Sequence, residues 1–194
     1  MKLDYIKITD EKSGVMHGGN QSDFCKKISR SGCGMIAACD MLLYKQGRKS
    51  LSHGEYKQFI SEQELFFYGF HFTSIGVTAC RIIRFLRRQG FSFRFVPRYR
   101  LKGTALEQLI SEALEKDTPV IVRIGLNGKR LPYRLFYTVS GRISQGMMSW
   151  HYITVTGMKN GILYYSSWGA IGEMPISDLQ EHMGFLGGII IPKK

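Results

Sequence analysis

The spacing of the apolar residues changes at Pro119. Before it, apolar residues recur at helical spacing, as in 35–43, 82–86 and 106–113. After it, they follow the shorter period of strands, beginning with 120–124. Because helices fill the first half and strands the second, the sequence predicts an α+β fold in which N-terminal helices pack on a C-terminal antiparallel sheet.

The same patterns give approximate bounds for the individual elements. Asn160 and Gly161 form a hairpin signal between two strands, and Thr104 with Glu107 resembles a capping box at a helix start. The predicted helices span 34–46, 53–67, 77–89 and 104–116, and the predicted strands span 91–96, 120–124, 135–139, 152–156, 162–165 and 188–191.

Length and composition indicate one globular domain covering 1–194. Apolar residues make up 44% and charged residues 22% of the chain, which excludes a disordered or fibrous protein. No apolar run approaches the roughly 20 residues that cross a bilayer, so no transmembrane segment is predicted. The first residues lack the apolar core of a signal peptide, and we therefore expect a soluble, cytoplasmic protein.

The chain carries a large positive charge. Its 27 basic and 15 acidic residues give a net charge of +12, which favours encounters with anionic partners. Eight basic residues and no acidic one lie between Arg81 and Lys102. This cluster is either a solvated surface or a site for an anionic partner such as nucleic acid, an anionic membrane or an acidic peptide.

Cys33 differs from the other three cysteines by its position. It lies between Gly32 and Gly34, directly before the apolar run of the first long helix. A helix N-terminus stabilises an anion, so this position is expected to lower the pKa of the thiol and make it a nucleophile. The alternative is a thiol that only packs there. The cysteines form no C-x-x-C pair and no histidine lies at metal-ligand spacing, so neither a metal nor an organic cofactor is predicted.

His151 is the candidate base for such a nucleophile. It opens a predicted strand beside Trp150, an aromatic residue that could exclude water, and the strand gives the rigid support that a catalytic base needs. The alternative is a histidine packed at a sheet edge. The other histidines, at positions 17, 53, 71 and 182, have no comparable context.

Ser166 is the candidate residue to orient the imidazole. It lies fifteen residues after His151, on the strand that returns from the hairpin. A strict two-residue turn at Asn160 and Gly161 would pair Ser166 with Val155, too far along the strand. A longer loop spanning 158–161, or a bulge, would bring Ser166 level with His151.

The order of these features resembles the papain-like cysteine peptidases. A glutamine is followed by a cysteine that opens a long apolar helix, then by a strand histidine with a hairpin, then by Ser-Trp-Gly at 167–169. The helix and strand of 106–124 look most like the branch of the bacterial double-glycine leader peptidases and their uncharacterised relatives. The resemblance implies hydrolysis of a peptide or protein substrate through an acyl-enzyme. It assigns the nucleophile to Cys33, the base to His151 and an oxyanion-hole donor to Gln21. The alternative for Gln21 is a residue that only forms a turn.

The chain departs from the family pattern at the residue that is expected to orient the histidine. Where papain-type enzymes have Asn before Ser-Trp-Gly and the leader-peptidase branch usually has Asp, this chain has Ser166. A serine brings no charge to an imidazolium. Three hypotheses follow, in order of preference: a cysteine peptidase or amidase; a catalytically weak or inactive homologue that binds peptides; and a basic anion-binding module.

Overall fold

The computed structural model describes residues 1–10, 14–69, 77–125 and 130–193. The described residues include helices in both halves of the chain, most of them in the first. The α-helices are α1 (Lys26–Ser31), α2 (Cys33–Lys45), α3 (His53–Tyr68), α4 (Ala79–Arg88), α5 (Ala105–Glu115) and α6 (Ile176–His182). Among the residues that the structure describes, no helix is long and apolar enough to cross a membrane.

Most strands lie after α4. The strands are β1 (Lys7–Asp10), β2 (Gly14–His17), β3 (Ser50–Ser52), β4 (Phe93–Pro97), β5 (Val120–Ile124), β6 (Leu131–Tyr137), β7 (Arg142–Met148), β8 (His151–Lys159), β9 (Ile162–Ser167), β10 (Ala170–Pro175) and β11 (Gly188–Pro192).

Eight of these strands form one antiparallel sheet, which confirms the predicted α+β fold. Their order is β4-β11-β5-β8-β9-β10-β6-β7. Helix α2 packs against β8 and β5, and α4 packs against β4. One cluster of buried apolar residues lies between helices α1 to α4 and the face of the sheet that α2 and α4 contact. A second cluster lies between helices α5 and α6 and the opposite face. The N-terminal helices therefore cover one face of the sheet.

A second, three-stranded sheet was not predicted. β1 pairs with β2 in antiparallel fashion and with β3 in parallel fashion. These strands have three or four residues each, too few for a visible alternation. Helix α3 then starts directly after β3 with a true capping box between Ser52 and Glu55, whereas Thr104 makes no side-chain cap hydrogen bond at α5. The predicted capping box at Thr104 is therefore wrong.

The hairpin between β8 and β9 combines a tight turn with a bulge. Lys159 pairs with Ile162 across a two-residue turn, in which Asn160 and Gly161 both have positive φ, as type I′ turns require. The register shifts between Val155 and Gly157. The bulge moves the far end of β9 by one residue along β8, which decides which serine faces His151.

Candidate active site

Cys33 is the first residue of α2, and Gly32 is its N-cap. The thiol is partly buried. A Cβ added at Gly34 would lie 3.0 Å from the ring of Tyr152 on β8. Glycine at this position therefore lets the start of α2 approach the sheet closely and brings Cys33 to the start of β8.

Burial raises the pKa of the Cys33 thiol above its ordinary value. Backbone N–H groups of Tyr152, Gly34 and Cys33 itself, together with the Arg123 guanidinium, lower this pKa by a smaller amount. The expectation that the helix N-terminus would lower the pKa overall is wrong, because desolvation outweighs the donors. In the absence of substrate, Cys33 is a neutral thiol.

His151 is the first residue of β8 and is only 6% exposed. Its Nε2 lies 2.8 Å from Ser167 Oγ, and its ring stacks on Trp168 with 4.0 Å between the centroids. Burial lowers the pKa of the imidazole to about 3. The ring is therefore held in place from two sides and is neutral near pH 7.

Ser167, and not Ser166, is the partner of His151. Ser166 pairs with Thr154, which lies three residues after His151, so Ser166 and His151 are on opposite faces of the sheet. Ser166 Oγ instead donates to the carbonyl of His17 at 2.7 Å.

Without a bulge, the two-residue turn would pair Ser166 with Val155 and place Ser166 on the same face as His151. The bulge between Val155 and Gly157 shifts the register by one residue and places Ser167 there instead, and no sequence pattern predicts this bulge.

Gln21 starts a short 3₁₀ turn, Gln21–Asp23, before α1. Its side-chain Nε2 donates to the carbonyl of Ser29 at 2.7 Å. Gln21 also lines the same cavity as Cys33 and His151. This bond holds the side chain through one of the two hydrogens of its amide nitrogen.

The cavity that these residues share is small and polar. Its volume is about 20 Å³, which is room for about one water molecule. The groups that line it come from the segment before α1, from α2, from β8 and from the end of β9, namely Gly19, Gln21, Cys33, Ile36, Ala37, Asp40, His151, Tyr152, Thr154, Ser166, Ser167 and Trp168.

Asp40 is a buried carboxyl group in this cavity that the sequence analysis missed. Only 3% of the residue is exposed. Its Oδ1 accepts a hydrogen bond of 2.6 Å from the Tyr56 hydroxyl, and its Oδ2 accepts one of 2.9 Å from the Gly19 N–H. Burial raises the pKa of the Asp40 carboxyl to about 6. The available signal was its position seven residues after Cys33, two helical turns along the same face.

Tryptophans with unusual backbone conformations flank His151. Trp150, at φ 51°, precedes it, and Trp168, at φ 49°, stacks on its ring. Trp168 and Gly169 form the two-residue turn between β9 and β10, in which positive φ is required. Arg123, on the neighbouring strand β5, lies with its guanidinium 5.7 Å from the centre of the Trp150 ring.

The other histidines and cysteines have different surroundings. His53 contacts Asp10 and Asp23, His182 contacts the carbonyl of Asp178, and His71 lies outside the described residues. Cys25 and Cys80 are exposed, and Cys39 is buried. Within the described ranges, no group of three or more His, Cys, Asp or Glu residues could hold a metal ion.

The basic cluster of 81–102 is spread over several elements. Arg84, Arg87 and Arg88 are exposed on α4, whereas Arg81 donates to the carbonyl of Phe67 and Arg98 to the carbonyl of Glu181. These residues line no part of the cavity around Cys33. The cluster therefore contributes positive charge away from the candidate site.

Comparison with known proteins gives one kind of match. No protein-family model matches the chain, and no match was found among the curated proteins. Among solved structures, the chain is similar to the crystal structure of a "putative C39-like peptidase from Bacillus anthracis", with a TM-score of 0.46 and 14% identity, covering 84% of this chain and 89% of that one. The function proposed below depends on the residues of the cavity.

Proposed function

We propose that the protein is a papain-like thiol hydrolase that cleaves a peptide or amide bond through an acyl-enzyme. The observation that carries this proposal is that Cys33, at the start of α2, and His151, at the start of β8, line one cavity in which Ser167 and Trp168 hold the imidazole. A cysteine, a base and a group that orients the base are the parts that nucleophilic acyl transfer requires.

In this mechanism His151 acts as a general base. In the tautomer whose Nε2–H donates to Ser167 Oγ, Nδ1 has a free lone pair. Cys33 Sγ attacks the substrate carbonyl carbon while its proton moves to Nδ1. The imidazolium then donates this proton to the leaving amine, and water hydrolyses the resulting thioester. Because both groups are neutral at rest, proton transfer accompanies the attack and no ion pair forms beforehand.

The backbone N–H of Cys33 and the side chain of Gln21 are the proposed donors to the oxyanion. The first N–H groups of a helix have no partner within the helix, so that of Cys33 can bind the oxygen that becomes negative. The second amide hydrogen of Gln21 can do the same, because only one of the two is needed for Ser29. Such preorganised donors are worth about 10²–10³ in kcat each.

The test uses a mixture of unstructured peptides and mass spectrometry of the products. We expect cleavage by the wild type, no cleavage by Cys33→Ala, and a rate reduced at least about 10³-fold in His151→Ala. Cys80→Ala, which removes an exposed cysteine outside the cavity, is the matched control and should retain activity. Cleavage that survives Cys33→Ala would contradict the proposal.

A protein that binds peptides without cleaving them is the second candidate. It is favoured by the burial of His151, which is 6% exposed. The same peptide mixture distinguishes the two candidates: retention of intact peptides by both the wild type and Cys33→Ala, with no products, would support binding alone.

A further inference from the structure

Asp40 connects the helix that carries Cys33 to the segment that carries Gln21. It belongs to α2, which begins with Cys33, and its Oδ2 accepts the N–H of Gly19, two residues before Gln21. We infer that Asp40 is a positioning residue, whose ionised carboxylate fixes the segment Gly18–Gln21 against the helix that carries the nucleophile. This inference rests on the proposed function.

The route of this segment shows how closely it is fitted around Asp40. A Cβ at Gly19 would lie 1.9 Å from the Tyr56 hydroxyl oxygen, and one at Gly18 would lie 2.8 Å from Asp40 Oδ2 and 2.4 Å from Ser166 Oγ. Gly18 also has φ +73°, which favours glycine. The segment therefore passes through a gap that the Asp40, Tyr56 and Ser166 side chains define.

The opposite side of the segment is bonded to the turn after β9. The N–H of His17 donates to the carbonyl of Gly169 at 3.0 Å, and the N–H of Gly169 donates to the carbonyl of Gly19 at 3.1 Å. Gly169 follows Trp168, the residue that stacks on His151. Asp40 thus completes a connection that runs from the Cys33 helix through the Gln21 segment to the support of the imidazole.

The charge on Asp40 determines the strength of this connection. An ionised carboxylate accepts both hydrogen bonds as charge-assisted bonds, whereas the protonated form retains one neutral acceptor and gains a donor that faces the Tyr56 hydroxyl. The titratable groups that face it are Tyr5, Tyr56 and Cys39, and Cys33 and His151 line the same cavity. None of these is positively charged near pH 7, so burial sets the titration of Asp40, with a pKa of about 6.

The test compares two reactions of Cys33 across pH. Acylation by p-nitrophenyl acetate passes through an oxyanion, whereas alkylation by iodoacetamide does not. In the wild type, we expect the acylation rate to rise through an acid limb near pH 6, the pKa of Asp40, well above the pKa of His151. In Asp40→Asn, which keeps the shape of the side chain, this limb should disappear and the plateau should fall about 10-fold, because small displacements of groups at the reacting centre cost up to about 10²-fold. Alkylation should be unchanged.

Tyr56→Phe is the matched control. It retains Asp40 but removes a hydrogen bond that lowers the pKa of the carboxyl group, so the acid limb should move to higher pH. If Asp40→Asn retains both the rate and the limb of the wild type, Asp40 has no positioning role. If it loses acylation and alkylation equally, it supports the helix itself, and the inference is overturned. If the wild type shows no acylation of Cys33, the proposed function fails and not only the role of Asp40.

Discussion

His151 and Asp40 are buried titratable residues whose linkages to folding have opposite signs. The pKa of His151 falls from 6.5 to about 3 on burial, so the unfolded chain binds the extra proton and stability rises with pH in this window. The pKa of Asp40 rises from 3.8 to about 6, so the folded chain binds the extra proton and stability falls as pH rises. Between about pH 4 and pH 6, the two effects largely cancel.

Asp40→Asn should therefore expose the contribution of His151. Relative to the wild type, we expect the unfolding free energy of Asp40→Asn to increase by about 2 kcal/mol between pH 4 and pH 7, because most of the linkage of a pKa that rises from 3.8 to about 6 lies in this window and is removed. Urea unfolding at several pH values measures this difference.

Glu115→Gln, which neutralises an exposed carboxylate at the end of α5, is the control and should show a much smaller change. A difference between Asp40→Asn and the wild type that stays constant over this pH range would contradict the account. If it is confirmed, the carboxylate is retained at a cost in stability at neutral pH, as is expected of a group kept for function.

At the scale of elements, the alternation along β9 separates the roles of two neighbouring serines. Ser167 Oγ contacts the imidazole, whereas Ser166 Oγ contacts the carbonyl of His17 on the other face. We expect Ser167→Ala to lower kcat about 10- to 100-fold, because the imidazole loses the partner that orients it and a misplaced catalytic group costs up to about 10²-fold. Steady-state hydrolysis of a cleaved peptide measures this.

Ser166→Ala is the matched variant for this prediction. It removes the same hydroxyl one residue earlier, and we expect a smaller loss of kcat, because the segment that contains His17 remains bonded to Gly169. A larger loss in Ser166→Ala than in Ser167→Ala would mean that the imidazole is not oriented by Ser167.

Helices and strands were predictable where the regular spacing of apolar residues extends over several helical turns or over a whole strand. Helix α2 and strand β5 match their predicted spans closely, since each is almost entirely buried. By contrast, β7 is an edge strand with mostly exposed or half-buried residues, and α1 and α6 have only six and seven residues. Strand β10 was missed because a tryptophan stands in its turn, at Trp168, where asparagine is usual.

At the scale of the whole molecule, the candidate site joins the helical half of the chain to the strand half. Cys33 and His151 could be chosen from sequence because each begins a regular element. The spacing of Asp40 from Cys33 indicates a shared helix face, but the role of Asp40 depends on Tyr56 and Gly19 meeting it in space. The pKa of Cys33 was wrongly expected to be low because desolvation depends on how closely β8 covers the start of α2.

The most direct measurement of the central claim is the intact mass of the protein after reaction with p-nitrophenyl acetate and an acid quench. We expect one acetyl group on the wild type, located on Cys33 by peptide mapping, that disappears on longer incubation as the thioester is hydrolysed. His151→Ala should acquire it far more slowly. A protein that remains unmodified, or that is acetylated on the exposed Cys25 or Cys80 and not on Cys33, would contradict the claim that Cys33 and His151 form a nucleophile and its base.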